Sequence, residues 1–150
     1  MHIHRRVSLD CSPKAVWRCL TEFDLQQQWI AQLVDETPDE PGPVGVGVGS
    51  TMRLREGGKI VAYRCIVTGW EPERRLAIRL SGGSFAAGME MDVAYELAQD
   101  GTSTILDYDV KVPLKGFFFT LMAPLIWLAA AGNAKKDLAK LKALAPTVGG

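Results

Sequence analysis

The chain has 150 residues, with 17 Lys and Arg side chains against 17 Asp and Glu, and a formal net charge of zero at pH 7. This length fits a single domain, residues 1–150, that can bury a core without staples. The balanced charge argues against nucleic acid as a partner, because nucleic-acid-binding proteins carry a strongly basic surface.

The three cysteines, Cys11, Cys19 and Cys65, are odd in number and have no CxxC spacing. This pattern predicts reduced thiols rather than a disulfide framework or a zinc site. The N-terminal segment is charged and alternating, without the apolar stretch of a secretory signal. We therefore expect a cytoplasmic location.

A strand and two short helices are predicted at the start of the chain. His2 to Leu9 alternates in the manner of a half-buried strand. Ser12 and Pro13 mark a helix start, because serine caps free N–H groups and proline at the first helical position lacks only an N–H that would have no partner. A second short helix follows and includes Trp29. Both helices are too short to be stable alone, so we expect them to pack against a sheet.

Six further strands are predicted between Ile30 and Lys111 from period-two alternation and from turn residues. Ile30 to Thr37 is the second strand. Pro38 to Gly49 is a long exposed connection, expected to form a flexible loop at a cavity rim. Gly57-Gly58 and Gly82-Gly83 supply tight turns between later strands.

Residues Leu114 to Ala145 are predicted to form one long helix. Its first half, Phe117 to Ala131, is apolar except for Thr120. This run is shorter than the roughly 20 residues that a bilayer requires, and Pro124 interrupts it, so a membrane span is not expected. The second half keeps an apolar stripe beside its lysines, as a helix lying on a concave sheet would.

The order of elements is therefore one strand, two short helices, six strands and a long helix. Sequence features that accompany this order are Ser12-Pro13, Val16-Trp17, Leu20-Thr21, Trp29, Val44-Gly45, Glu71-Pro72, Gly101-Thr102 and the helix from Asp137 to Ala143. Together they resemble the START and birch-pollen-allergen-like superfamily and, more narrowly, the bacterial polyketide cyclase/dehydrase-like proteins of the SRPBCC group. The resemblance implies an α+β helix-grip fold, in which a curved antiparallel seven-stranded sheet wraps around the long C-terminal helix, with two short helices between strands 1 and 2.

The same resemblance implies a cavity between sheet and helix that holds lipids, polyketides or other apolar molecules. The alternation along the strands independently indicates an apolar inner face. The predicted lining is Met52, Leu54, Tyr63, Cys65, Leu76, Ile78, Leu80, Met89, Met91, Val93, Tyr95, Leu106 and Tyr108 on the sheet, with Phe117, Phe118, Leu121, Leu125 and Leu128 on the helix. These side chains could equally fill an ordinary core, since composition alone does not separate the two arrangements.

Three tyrosines are the candidates for polar contacts with a ligand. Tyr63, Tyr95 and Tyr108 all fall on the predicted inner face, and a buried phenol requires a hydrogen-bond partner. That partner could be a ligand or a neighbouring backbone group.

No catalytic residue, metal site or cofactor is predicted. Proton transfer or cyclisation usually requires His, Asp, Glu or Lys in the cavity, and the predicted lining contains none of them. His2 and His4 share one face of the first strand and are expected to point outward, without a third metal ligand. Arg5 is the one basic residue whose position in the alternation places it on the inner face.

Three functions follow from these patterns. The first is binding or transport of a hydrophobic small molecule, such as a lipid, a polyketide or an aromatic compound, in an internal cavity without catalysis. The second is a polyketide aromatase/cyclase-like enzyme, which the resemblance implies and which needs an ionisable cavity residue. The third is a membrane-associated or protein-interaction module, suggested by Phe117 to Phe119 and Ile126-Trp127 beside a lysine-rich helix end. The expected partner is an apolar small molecule and not nucleic acid; a homodimer and peripheral membrane contact stay open.

Overall fold

The computed structural model describes residues 1–85, 88–113 and 117–149, and for residues 117–129 it describes the backbone alone. Its elements are β1 (His2–Leu9), α1 (Pro13–Thr21), α2 (Phe23–Trp29), β2 (Leu33–Pro38), β3 (Gly49–Glu56), β4 (Lys59–Glu71), β5 (Arg75–Gly82), β6 (Glu90–Asp100), β7 (Ser103–Lys111), α3 (Phe117–Leu144) and a final 3₁₀ turn (Ala145–Thr147). The predicted order of elements is confirmed.

The start of the second strand differs most from the prediction. β2 begins at Leu33 rather than at Ile30, because Ile30 is the C-cap of α2 and its backbone N–H donates to the carbonyl of Gln26. The backbone N–H of Leu33 in turn donates to the carbonyl of Ile30 at 3.2 Å. These local bonds hold residues 30–32 in a connection between helix and strand.

All seven strands belong to one antiparallel sheet in the order β1-β7-β6-β5-β4-β3-β2. The strands from β2 to β7 follow one another as neighbours, and β1 pairs along its whole length with β7. The pairing shifts by one residue between Val67 and Gly69 in β4 and between Leu33 and Asp35 in β2. Such irregularities increase the local twist and bend a sheet, which suits the predicted helix-grip architecture.

The two short helices are fixed to each other and to the sheet. Ser12 caps α1 as predicted, because its hydroxyl oxygen accepts a hydrogen bond from the backbone N–H of Ala15 at 3.3 Å. The indole Nε1 of the buried Trp29 donates to the carbonyl of Cys19 at 2.8 Å, which fastens α2 to α1. Helices of this length gain their stability from such packing rather than from propensity.

The most tightly packed part of the core lies at one end of the concave face. Leu9, Leu106 and Leu141 are completely buried there, and so is Thr104. The hydroxyl of Thr104 donates to the carbonyl of Cys11 at 2.8 Å, so this buried polar group has a partner. Residues farther along the same strands surround the cavity described below.

The outer face of the sheet carries ion pairs. Arg79 Nε lies 2.7 Å from Asp92 Oδ1, and Arg6 Nε lies 2.8 Å from Asp107 Oδ1. Exposed pairs of this kind contribute little to stability, so they mark a solvated surface rather than a stabilising network. Within the ranges that the structure describes, no helix has a segment long and apolar enough to cross a membrane.

Candidate ligand-binding site

A cavity of about 420 Å³ lies between the concave face of the sheet and the second half of α3. Its lining from β-strands is Ile3, Met52, Leu54, Glu56, Tyr63, Ile78, Leu80, Met91, Val93, Tyr95, Tyr108 and Val110. Other segments add Met1, Trp29, Ile30, Gln32, Ser84, Phe85, Met89, Val112, Ala130, Asn133, Ala134, Asp137 and Leu138. The volume falls within the roughly 300–1,000 Å³ that small-molecule sites occupy.

Most of the sheet residues predicted to face a cavity surround this one. They are Met52, Leu54, Tyr63, Ile78, Leu80, Met89, Met91, Val93, Tyr95 and Tyr108. The alternation of the strands brings them together, because residues two apart share a face of the sheet.

Three residues on the same predicted face do not line the cavity. Leu76 and Leu106 pack into the hydrophobic core, and Cys65 is buried in β4, opposite Ser50 and Leu80 in the strand register. Strand alternation identifies the face of a residue but not its position along the concave surface, and these three positions are filled by packed neighbours. Burial raises the pKa of the Cys65 thiol to about 11, so it is a protonated, inert core group at neutral pH.

The helix residues predicted to close the cavity are Phe117, Phe118, Leu121, Leu125 and Leu128, and their side chains lie outside the described part of the structure. The same holds for Phe119, Ile126 and Trp127, on which the interaction hypothesis depended. The described helix lining comes instead from the second half of α3, with Ala130, Ala134 and Leu138 at helical spacing.

One polar end of the cavity is built around Glu56, the last residue of β3. The hydroxyl of Tyr63 donates to Glu56 Oε2 at 2.7 Å, and the hydroxyl of Ser84 donates to Glu56 Oε1 at 2.7 Å. Burial and the hydrogen bond to Glu56 raise the pKa of Tyr63, so the phenol stays protonated as the donor. The ring of Phe85 packs edge-on against Tyr63 with ring centroids 5.2 Å apart. Both carboxylate oxygens of Glu56 therefore have partners supplied by the protein.

The other polar end is built around Asp137 on α3. Its Oδ1 accepts a hydrogen bond from the backbone N–H of Ala31 at 3.3 Å, and burial raises the pKa of its carboxyl. The rings of Tyr95 and Tyr108 lie nearby in the lining, with centroids 5.1 Å apart. Among the described residues, neither phenol has a hydrogen-bond partner. This end can therefore offer a carboxylate acceptor and two hydroxyl groups to a ligand.

The two phenols are neutral at physiological pH. Burial, reinforced by the nearby Asp137 carboxylate, raises the pKa of Tyr108 to about 12. Burial raises the pKa of Tyr95 well above its ordinary value, with Tyr108 and Asp137 acting in the same direction. Each hydroxyl can thus donate one hydrogen bond and accept another.

The prediction that no His, Asp, Glu or Lys lines the cavity is wrong, because Glu56 and Asp137 do. Glu56 continues the alternation of Met52 and Leu54 by one more step, and this signal was available in the sequence. Asp137 lies three residues after Ala134, on the edge of the apolar stripe, so helical spacing could also have indicated it. Arg5 is half-buried but does not line the cavity; its Nη1 donates to the carbonyl of His4 at 3.3 Å.

The predicted rim loop and histidine pair lie away from the cavity. None of residues 39–48 is in the lining, and an ion pair between Asp39 and Arg64 ties this loop to β4. His2 Nε2 and His4 Nδ1 lie 2.9 and 3.0 Å from Asp109 Oδ1. Across the described ranges, no three His, Cys, Asp or Glu side chains are grouped in a way that could hold a metal ion.

Comparison with known proteins agrees with this architecture. The family model described as "Polyketide cyclase / dehydrase and lipid transport" matches residues 1–146. The chain belongs to this family. No curated protein sequence matches this member of the polyketide cyclase/dehydrase and lipid transport family.

Solved structures show the same fold. The family member is similar to TTHA0849 from Thermus thermophilus, with a TM-score of 0.76, 15% identity and 98% of both chains covered. It is also similar to Ara h 8.0201, with a TM-score of 0.75, 11% identity and 98% of both chains covered. The Zhui aromatase/cyclase from a Streptomyces species gives a TM-score of 0.73 and 15% identity, covering 97% of this chain and 93% of the other. The predicted helix-grip fold is confirmed.

Proposed function

We propose that this protein binds or transports a hydrophobic small molecule, such as a lipid, a polyketide or an aromatic compound, in its internal cavity. The observation that supports the proposal is the cavity of about 420 Å³, whose walls are mainly aliphatic, methionine and aromatic side chains. Ligand sites typically combine apolar walls with a few polar groups that orient the ligand. Methionines such as Met52 and Met91 suit this role, because their flexible side chains adapt to irregular shapes.

A fluorescence titration with the neutral probe N-phenyl-1-naphthylamine tests this proposal. Wild-type protein should give a saturable increase in emission as the probe enters an apolar site. In the variant Ile78→Trp, the larger side chain occupies part of the cavity and leaves less room for the probe. This variant should bind the probe at least about tenfold more weakly, which corresponds to a loss of roughly 1.4 kcal/mol of binding free energy. Ile60→Trp is the matched control, because Ile60 is 48% exposed and lies outside the lining.

The control should bind the probe as wild type does, and circular dichroism should show that both variants are folded. Equal binding by Ile78→Trp and wild type would place the probe elsewhere and contradict the proposal. Native mass spectrometry of freshly purified protein, followed by organic extraction, would then identify the chemical class of any retained molecule.

A cyclase/dehydrase-like activity on a polyketide-like substrate is the second candidate. The observation in its favour is Asp137, a carboxyl with a raised pKa in the cavity lining, close to Tyr108. General acid–base catalysis requires a titratable group within reach of the substrate. Incubation with a poly-β-keto thioester should then yield a dehydrated or cyclised product, detected by mass spectrometry, and Asp137→Asn should lose that product. Unchanged substrate with wild-type protein would eliminate this candidate.

The cellular setting is part of the same proposal. A cytoplasmic location is supported by the three cysteines, which are all free. Peripheral membrane contact and a homodimer are tested by liposome co-sedimentation and by sedimentation velocity. Protein that stays in the supernatant with liposomes would exclude peripheral membrane contact. Protein that sediments as a monomer would exclude a homodimer.

A further inference from the structure

The ionisable side chains in the described lining can carry only negative charge. They are Glu56, Asp137 and three tyrosines, and no Lys, Arg or His is among the described lining residues. The terminal ammonium group of Met1, which is also a lining residue, donates to the carbonyl of Val112 at 2.6 Å, and it is not among the groups that shift the pKa of Asp137. The segments without described side chains contain a single charged residue, Lys115. A carboxylate in largely apolar surroundings is unfavourable unless a cation or several donors compensate it.

The two carboxylates differ in how far the protein satisfies them. Both oxygens of Glu56 accept hydrogen bonds, one from Tyr63 and one from Ser84. Asp137 has one donor, the backbone N–H of Ala31, and within the described residues its Oδ2 has none. The Lys140 ammonium, one helical turn farther along α3, offsets its charge in part but is exposed to solvent.

Further unused hydrogen-bonding capacity lies at the same end of the cavity. Tyr95 is only 9% exposed, its side chain lines the cavity, and its hydroxyl has no partner in the described part of the chain. The hydroxyl of Tyr108, whose ring lies against that of Tyr95, also has no partner among the described residues, although the Tyr108 side chain is less completely buried. No buried side-chain N or O atom of the described residues lacks a hydrogen-bond partner, so these two unpaired hydroxyls are open to the cavity. They indicate where a ligand's polar end would lie.

From this arrangement we propose that the cavity selects apolar molecules that end in a protonated amine, which pairs with Asp137 and with the tyrosine hydroxyls. This inference rests on the proposed function. An ammonium group donates up to three hydrogen bonds and accepts none, which complements a carboxylate and phenolic oxygens. A ligand ending in a carboxylate or phosphate would meet the like charge of Asp137 instead. The hydrocarbon body would then extend along the apolar wall that includes Met52, Leu80 and Met91.

Isothermal titration calorimetry with decylamine, 1-decanol and decanoate, each below its micellar concentration, tests the inference. The three probes share a chain length and differ in the charge of one end. Wild-type protein should bind decylamine at least about tenfold more tightly than decanoate. Asp137→Asn should lose at least about fivefold of the affinity for decylamine and bind 1-decanol as before, because asparagine keeps the shape and the acceptor for Ala31 but not the charge.

Glu90→Gln is the control for net charge. Glu90 lies on the opposite face of the sheet, where its Oε2 is 3.2 Å from Arg79 Nε, and it is not in the lining. This variant removes one negative charge, as Asp137→Asn does, but should keep the preference for the amine.

The other possible results of the titrations separate the amine inference, its assignment to Asp137 and the proposed function. Equal binding of the three probes by wild type would overturn the amine inference and leave the proposed function intact. A preference that survives Asp137→Asn would overturn the assignment to Asp137. Failure of all three probes to bind would overturn the inference together with the proposed function.

Discussion

Asp137 is the residue whose environment departs most clearly from what its position in the sequence suggests. It lies among lysines in the amphipathic half of α3, yet it is half-buried and lines the cavity. Burial is the main cause of its raised pKa, and the hydrogen bond from Ala31 and the nearby Lys140 only partly oppose that effect. Its ionised form is therefore less favourable in the folded protein than in the unfolded chain.

This environment predicts a pH-dependent effect of Asp137→Asn on stability. Between the ordinary value of 3.8 and its raised folded value, the folded protein binds more protons at this site than the unfolded chain does. The contribution of Asp137 to the free energy of unfolding therefore falls as the pH rises through that window, and the penalty is complete above it. The variant should match wild type in acid below 3.8 and be more stable at neutral pH.

Urea denaturation of both proteins at an acidic and at a neutral pH measures this difference. Glu40→Gln is the control, because Glu40 is an exposed carboxylate in the connection between β2 and β3. It should change the free energy of unfolding little at either pH. A destabilised Asp137→Asn at neutral pH would contradict the prediction.

At the scale of elements, one wall of the cavity is formed where β3 ends at Glu56 and where β5 ends at Gly82. β5 ends at Gly82, and Gly83 begins the turn that follows; both glycines have positive φ angles, +77° and +54°. Of these two glycines, Gly83 is the one that packs closely against a neighbour, because a Cβ built there would overlap the ring of Tyr63. This close approach holds the Tyr63 ring beside the turn while its hydroxyl bonds to Glu56.

Replacing the two glycines separately should distinguish backbone strain from close packing. A Cβ at Gly82 would have no heavy atom within 4 Å, so Gly82→Ala adds backbone strain without a steric overlap. This variant should destabilise the fold by roughly 1–2 kcal/mol, the usual penalty for a non-glycine residue in the left-handed conformation. Gly83→Ala should destabilise it further, because the strain is added to the overlap with Tyr63. Chemical denaturation measures both effects, and equal losses would show that the close approach is unimportant.

At the scale of the whole molecule, the cavity is a consequence of how the layers meet. α3 crosses a concave sheet whose first strand, β1, pairs with the last, β7, so the concave surface extends over all seven strands. One end is filled by Leu9, Leu106 and Leu141, and the remaining part is open. An open apolar cavity lacks the packing contacts of a filled core, so a bound ligand should stabilise the fold.

Ligand binding should therefore raise the melting temperature. At a free concentration ten times its Kd, N-phenyl-1-naphthylamine should add about 1.4 kcal/mol to the free energy of unfolding, or roughly 3–6 °C in Tm. Differential scanning fluorimetry with an extrinsic dye would compete for the site, so calorimetry is the suitable measurement. The same probe concentration should raise the Tm of Ile60→Trp equally and that of Ile78→Trp less; equal shifts in the two variants would count against binding in the cavity.

The architecture could be predicted from the sequence because its signals are local. Alternation in strands such as Glu90–Asp100, the Ser12-Pro13 helix start and the glycine turns each depend on neighbours a few residues away. The same alternation identified most sheet residues of the lining. It could also have identified Glu56, which shares the face of Met52 and Leu54 but was assigned no place in the lining.

The sequence by itself determined the order of elements, the antiparallel sheet and which residues face inward, because backbone periodicity and turn chemistry are local properties. The tertiary structure alone decided which inward positions are packed and which are open, so that Leu106 is core while Tyr108, two residues later, lines the cavity. It also decided how deeply Asp137, at the edge of the apolar stripe of α3, is buried. Both outcomes depend on where α3 crosses the sheet, and that placement results from the packing of many distant side chains at once.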